Sequence, residues 1–341
     1  YKKQSQKYWL EFNNYAKGMI ALALFRYDEV KTAKDITASL KEHSLNSEEM
    51  GMYWKESYGY YWYQLLIETH ALMIEVFSEI TKDEKVIDDL KTWLIKSKQT
   101  QDWKTTKATA DACFALLLQG DDWLKEDKLA EITMGGQKVD PYKEDTPTEA
   151  GTGYFKVSWN GREIKPEMGN ITVKNNNKVV AWGGVYWQYF EQLDKITAAE
   201  TPLKLNKKLF VERDSSTGPV ITPIEKEKVK IGDKIKVRIE LRVDRDMEYV
   251  HMKDMRSSSF EPLNVISQYK WQDGLGYYET TKDASTNFFF DYLRKGTYVF
   301  EYSLRVTHAG DFSNGITTIQ SMYAPEFSSH SEGVRVKTEK K

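Results

Sequence analysis

With 341 residues, 40% of them hydrophobic and 13% aromatic, the chain exceeds one ordinary core; it is read as two or three packed domains, and global disorder is excluded. Its 49 basic and 51 acidic side chains leave a net charge of -2, with no basic stripe carrying interleaved aromatics, so a nucleic-acid footprint is excluded. No stretch approaches the ~20 apolar residues that a membrane span needs.

The first 125 residues carry helical patterns. Trp9, Phe12, Ala16, Met19, Ile20, Ala23 and Leu24 fall mostly at steps of three and four, which places them on one helical face. Ala33, Ile36 and Leu40 stripe a second helix from Thr32. A third is expected from Trp62 to Ile80, a fourth from Val86 to Ile95 and a fifth from Thr106 to Leu118, with Thr105 or Thr106 as N-cap. Short connections predict antiparallel neighbours, and helices apolar on more than one side predict a layered array.

Beyond Gly120-Asp121-Asp122 the period shortens to two. Strands are expected over 153–159, turning at Asn160-Gly161, over 171–173, and over 179–189, where Val185-Tyr186-Trp187-Gln188-Tyr189-Phe190 has high β-propensity. Asp194 to Pro202 reads as a linker. Strands over 207–213, 234–243, 249–255, 288–293, 296–307, 317–323 and 333–338 then suggest a sandwich. Helices followed by strands, without alternation, argue for separate modules over a parallel α/β fold.

Few residues invite a chemical role. His70 follows Glu68 on the third helix, but the sequence has five histidines and no His-Glu-x-x-His pair, so a structural hydrogen bond is expected over metal binding. Cys113, the single cysteine, sits in an apolar run with Leu116 and Leu117 and is read as an inert core thiol, which leaves the redox compartment undefined. The cluster Tyr53, Trp54, Tyr58, Tyr60, Tyr61, Trp62 and Tyr63 is assigned to helix packing ahead of a sugar platform. The mixed runs Lys82-Asp83-Glu84-Lys85 and Glu225-Lys226-Glu227-Lys228 read as solvated turns, and Gly135-Gly136 and Gly183-Gly184 as turn or bulge glycines. Met322-Tyr323-Ala324-Pro325-Glu326-Phe327 reads as an edge strand stopped by Pro325, with Tyr323 and Phe327 pinning the tail. No catalytic, cofactor-binding or metal-ligating set is assigned.

Several of these segments carry a resemblance. Ile67-Glu68-Thr69-His70-Ala71-Leu72, then Trp93-Leu94-Ile95, then Trp103-Lys104-Thr105-Thr106 resemble the closing half of the thioester-domain helical ring of alpha-2-macroglobulins. Gly232-Asp233-Lys234-Ile235-Lys236-Val237, Lys295-Gly296-Thr297-Tyr298, Ala309-Gly310-Asp311-Phe312 and Met322-Tyr323-Ala324-Pro325-Glu326-Phe327 resemble the terminal domain of the bacterial members.

The resemblance implies a multidomain chain, α then β: a partial α/α toroid of antiparallel helical hairpins at 1–125, a CUB-like β segment at 126–202, and a terminal macroglobulin or receptor-binding-like β-sandwich at 203–341. It implies a non-catalytic piece of a protease-trapping inhibitor that meets proteases through a full-length parent, with envelope proteins as possible partners. It also implies residence in the bacterial periplasm or envelope, anchored by a lipoprotein signal upstream. The family's Cys-x-Glu-Gln thioester motif is absent from the sequence, and no cofactor is expected. The start at Tyr1-Lys2-Lys3, without a signal-type apolar core, is read as that of an excised or processed piece. Two other classes stay open: a polysaccharide lyase built on a helical toroid, with Asn14, Tyr15 and His70 as available proton-transfer groups, and a cell-surface adhesion module.

Overall fold

The computed structural model describes residues 1–55, 65–118, 129–141, 154–176, 181 and 183–341. It contains two compact units, Tyr1–Ser97 with Trp103–Gly183 and Lys98–Asp102 with Gly184–Lys341.

The first unit holds helices α1 (Lys2–Tyr8), α2 (Asn14–Arg26), α3 (Val30–Glu42), α4 (Leu66–Val76), α5 (Glu84–Thr100) up to Ser97, and α6 (Thr106–Leu118). A hairpin of β1 (Leu45–Ser47) and β2 (Gly51–Tyr53) follows α3. Where the expected first helix ran unbroken from Trp9, a 3₁₀ turn at Trp9–Glu11 intervenes and α2 begins afresh, capped by Asn13, whose Oδ1 accepts the Ala16 N–H at 2.9 Å. The buried face of α2 is Gly18, Ala21, Leu22 and Leu24, while Phe12 and Met19 are exposed, so the expected stripe is out of phase. Gly18 sits at the close approach of α2 to α4, where a Cβ would lie 2.8 Å from Met73 Cε. In α3, by contrast, Ala33, Ile36 and Leu40 are buried as the spacing demands. The helix α4 is covered on nearly every side and ends in a π turn, Phe77–Thr81. It packs on α2 and α6.

Also in this unit, β3 (Glu131–Met134), β4 (Gln137–Lys138) and β5 (Ile171–Lys174) form a small antiparallel sheet. Gly135 and Gly136, both at positive φ, turn β3 into β4. The strand expected over 153–159 does not form in its described part, 154–159; Asn160 opens a turn there, its carbonyl accepting the Glu163 N–H at 2.8 Å.

The second unit is a sandwich. Its strands are β6 (Leu203–Ser215), β7 (Gly218–Pro223), β8 (Val229–Lys230), β9 (Lys234–Val243), β10 (Met247–Met255), β11 (Phe260–Pro262), β12 (Gln268–Gln272), β13 (Leu275–Lys282), β14 (Ser285–Leu293), β15 (Gly296–Val306), β16 (Gly310–Ser313), β17 (Thr317–Ser321), β18 (Ser328–His330) and β19 (Arg335–Glu339). One sheet has the order β12-β13-β14-β10-β17-β18, the other β11-β15-β9-β6-β7, and a third pairs β16-β19-β8. Every pairing is antiparallel except β8 with β19. Strict alternation in β6 and β9 turns Leu203, Leu205, Leu209, Val211, Ile235, Val237, Ile239 and Leu241 inward, where they meet Val250, Met252, Phe288 and Phe290 of the opposite sheet in one core.

Two expectations fail in this unit. Residues 183–190 form no strand, and Val185, Tyr186, Trp187, Tyr189 and Phe190 are each more than half exposed. Strand propensity is expressed only where a neighbouring strand takes the backbone bonds and one face is buried, and this run has neither. The expected linker is a strap held to the sandwich: Ala199 and His330 exchange backbone hydrogen bonds at 3.1 and 3.0 Å, and Gly333 N–H donates to Ile196 O at 2.8 Å. A Cβ on Gly333 would fall 1.8 Å from Leu193 O, so the strap needs glycine beneath it.

Candidate functional site

A buried ionisable cluster lies between the two large sheets. Lys207 on β6 stands in phase with Leu205 and Leu209 and therefore points into the core; Asp254 on β10 stands in phase with Val250 and Met252 and meets it from the other sheet. Lys207 Nζ donates to Asp254 Oδ1 at 2.5 Å and to the Met255 carbonyl at 2.8 Å. The Thr317 hydroxyl donates to Asp254 Oδ1 at 2.6 Å, and the Tyr302 hydroxyl donates to Oδ2. The Asp254 side chain is 0% exposed and that of Lys207 1%. Burial, with the Asp254 charge added, holds the Tyr302 phenol protonated well above its ordinary range. Each charge is compensated and each carboxylate oxygen has a donor, the condition under which a buried pair is tolerated. Nearby, the Arg256 guanidinium gathers the turn between β13 and β14 through Ser285 O at 2.9 Å and the Thr286 hydroxyl at 3.2 Å. The cluster joins elements and has no reactive group facing solvent. The sequence reading missed it, although Lys207 and Asp254 break the apolar phase of their strands, a signal that could have found them.

The second cluster surrounds His70 on α4, which is buried as the structural reading expects. Leu90 O can only accept, so the 2.8 Å contact fixes the proton on Nε2. The ring lies 4.2 Å from Trp93 and 5.9 Å from Trp54 between centroids, Tyr53 stacks on Trp93 at 6.2 Å, and the Trp54 indole N–H donates to Leu40 O at 2.8 Å. Burial depresses the imidazole pKa to about 4, so it is neutral near pH 7. Tyr53 and Trp54 thus pack against helices; Tyr58 to Tyr63 lie outside the described residues. No hydrogen bond or ring contact among the described residues joins Asn14 or Tyr15 to His70.

Other candidates are placed differently from the sequence reading. Cys113 is exposed: α6 turns Ala108, Ala112 and Ala115 inward, leaving Cys113, Phe114 and Leu117 on its outer side, so the core-thiol reading is corrected. Thr105 caps α6 as expected, its hydroxyl accepting the Ala108 N–H at 3.0 Å. In the Met322–Phe327 stretch the strand ends at Ser321, and β17 is an inner strand with β18 outside it. Ala324 and Phe327 anchor the tail, 3% and 6% exposed, whereas Tyr323 is exposed and meets Tyr249 edge-on at 5.3 Å. The run at Lys82 is solvated, with Asp83 paired to Lys41 at 2.8 Å, and Glu225 to Lys228 are exposed. Among the described residues no group of three or more His, Cys, Asp or Glu could hold a metal ion, and no helix is long and apolar enough to cross a membrane.

Helices followed by an antiparallel two-sheet sandwich define a modular α-then-β protein. Residues 203–326, nearly the whole sandwich, match the family described as Bacterial Alpha-2-macroglobulin MG10 domain. The sandwich is therefore similar to the MG10 domain of bacterial alpha-2-macroglobulins. Solved structures similar to it include trypsin-activated alpha-2-macroglobulin from Escherichia coli, at 10% identity and TM-score 0.40 over 99% of this chain and 22% of that one. Salmonella alpha-2-macroglobulin reacted with methylamine matches at 12% identity and TM-score 0.33, over 99% of this chain and 21% of that one. Native Escherichia coli alpha-2-macroglobulin spanning domain MG7 to the C-terminus matches at 11% identity and TM-score 0.35, over 99% of this chain and 52% of that one. The chain therefore spans between about a fifth and a half of these relatives. No curated protein matches it.

Proposed function

We propose that this chain is the C-terminal part of a bacterial alpha-2-macroglobulin that traps proteases, and that it contributes scaffold and interaction surfaces without catalysis. The observation that carries the reading is the MG10 match over 203–326, lying on a sandwich whose buried Lys207 and Asp254 neutralise one another. On this reading residues 1–125 belong to a thioester-type helical toroid, 126–202 to a CUB-like half, and 203–341 to the terminal macroglobulin or receptor-binding-like domain. The sequence holds no Cys-x-Glu-Gln, so a covalent trap either lies in another part of the parent or is lacking from it. Escherichia coli relatives are described in states activated by trypsin and by porcine elastase, and the parent of this chain would meet proteases in the same way, held in the periplasm or envelope by an upstream lipoprotein anchor.

The test compares the 341-residue chain with its full parent. The chain alone is expected neither to cleave casein nor to slow its digestion by trypsin, whereas the parent slows it. Stoichiometric inhibition by the chain alone, or none by the parent, refutes the proposal.

A further inference from the structure

The strap ahead of β6 is fastened by polar contacts at the surface, not by burial. Residues 194–201 run antiparallel to 329–335, and the fastenings keep one register: Asp194 with Arg335, Ile196 with Gly333, Ala199 with His330 and Thr201 with Ser329. The first is an ion pair at 3.1 Å, the second a backbone bond at 2.8 Å, and the third a pair of backbone bonds. The last joins the Thr201 N–H to the Ser329 hydroxyl at 2.9 Å. Lys195, Thr197, Ala198, Ala199 and Glu200 are exposed, and no strap side chain enters the sandwich core. Pro202, which has no N–H to give a ladder, marks the boundary. Beyond it Leu203 and Leu205, 0% and 4% exposed, open the core strand.

Such a zipper opens from one end. Losing the Asp194 contact leaves Arg335, itself half exposed, still paired with Asp311 at 2.7 Å, so release strands no buried charge. The backbone groups of Ile196 and Ala199 then return to water, which replaces most of what each bond contributed. By contrast, β6 is laddered to β9 from Leu203 to Glu212 and turns Leu203, Leu205, Leu209 and Val211 into the core. Exposed backbone bonds without buried side chains mark a segment that opens locally, well below the cost of unfolding the whole domain. Once it is open, the chain leaves the sandwich at Leu203 instead of at Asp194, and residues 194–202 reach up to ~30 Å when extended. Closure stays specific, because the seat admits the Leu193 carbonyl only while no Cβ stands on Gly333. We propose that the strap is a releasable connector, which unzips from its Asp194 end while the sandwich stays folded and lengthens the tether between the sandwich and the chain before it.

Hydrogen exchange of the full 341-residue chain, read by fragmentation mass spectrometry, tests this by comparing the fastening amides of Ala199 and Thr201 with the amides of β9. The strap amides are expected to be protected, yet to exchange on the order of 100-fold or more faster than those of β9. Their rate should be insensitive to low urea, because a local opening exposes little surface. Ala199 and His330 are joined by both backbone bonds, a pairing in which Cα atoms stand ~5.5 Å apart, within reach of a disulfide. Ala199→Cys/His330→Cys is therefore made together with Cys113→Ser, which removes the chain's other thiol. When oxidised it should slow strap exchange on the order of tenfold or more, and reduction should abolish the effect. Gly333→Ala should instead bring the strap to the rate of a free peptide and leave β9 unchanged; this variant suffices if the disulfide does not form. Strap amides as slow as those of β9 and accelerated by urea in parallel overturn the proposal, since the strap would then open only with the whole sandwich. So do wild-type strap amides already at the free-peptide rate, a disulfide without effect, or loosening of β9 by Gly333→Ala.

Discussion

Removing the Asp254 carboxylate is the sharpest perturbation available in the sandwich. In Asp254→Ala, Lys207 keeps a buried ammonium with only the Met255 carbonyl for company, and the hydroxyls of Thr317 and Tyr302 lose the acceptor they share. Breaking a buried ion pair costs roughly 3–5 kcal/mol, and each orphaned buried donor adds about 1 kcal/mol or more, so a loss of ~5 kcal/mol is expected. Domains are commonly stable by only ~5–15 kcal/mol, so the variant sits near the edge of folding. Urea titration followed by fluorescence and far-ultraviolet circular dichroism measures this in the wild type, Asp254→Ala, Lys207→Met and the pair Lys207→Met/Asp254→Leu. The paired variant should regain most of the loss, because two apolar side chains leave no buried charge uncompensated. A loss below ~1 kcal/mol in Asp254→Ala, or a double variant no better than the worse single one, refutes the reasoning.

Three further outcomes follow from separate features. His70 titrates near 6.5 when unfolded and at about 4 in its pocket, so between those values the unfolded chain binds a proton that the folded pocket excludes. The folded pKa is the lower one, so this contribution is complete above pH ~6.5 and falls by roughly 3 kcal/mol as pH drops to 4; urea midpoints between pH 7.5 and 4.5 should flatten in His70→Gln. Cys113 should react with a thiol-specific chromogenic reagent in the native chain as fast as in urea; a large acceleration by urea would return it to the core. Gly333→Ala should dislodge the strap, forfeiting its three backbone hydrogen bonds at ~1 kcal/mol each and opening Lys195 to trypsin, whereas equal digestion rates would place the strap elsewhere.

Long period-two runs were the most legible part of the sequence. Lys234–Val243 was bounded to the residue, and β6, β10, β14 and β15 were found with ends off by a few positions, because burial of one face and a complete hydrogen-bond ladder enforce the alternation. The hairpin of β12 and β13 is absent from the sequence reading despite its Asp273-Gly274 turn, both residues at positive φ, because the inward positions of β12 are Lys270 and Gln272, which give no apolar face. The opposite error was made at Val185 to Phe190, where composition alone suggested a strand and no partner strand lies alongside. In the helices, the buried faces of α2 and α6 are set by Gly18 and by the alanines at 108, 112 and 115, small residues that an apolar periodicity weighs lightly beside Phe12, Met19, Phe114 and Leu117. The partnership of Lys207 with Asp254 spans 47 positions and depends on how two sheets are laid together, which one strand's pattern does not encode.

Oily layers attract without direction: they favour contact but leave the offset between sheets free to drift. The ionic rivet driven through this oil from Lys207 to Asp254 is satisfied at one offset only, and sliding by a residue in either direction would strand both charges. The two sheets are thereby keyed to one relative offset, so that neither can slide along the other without giving up this pair.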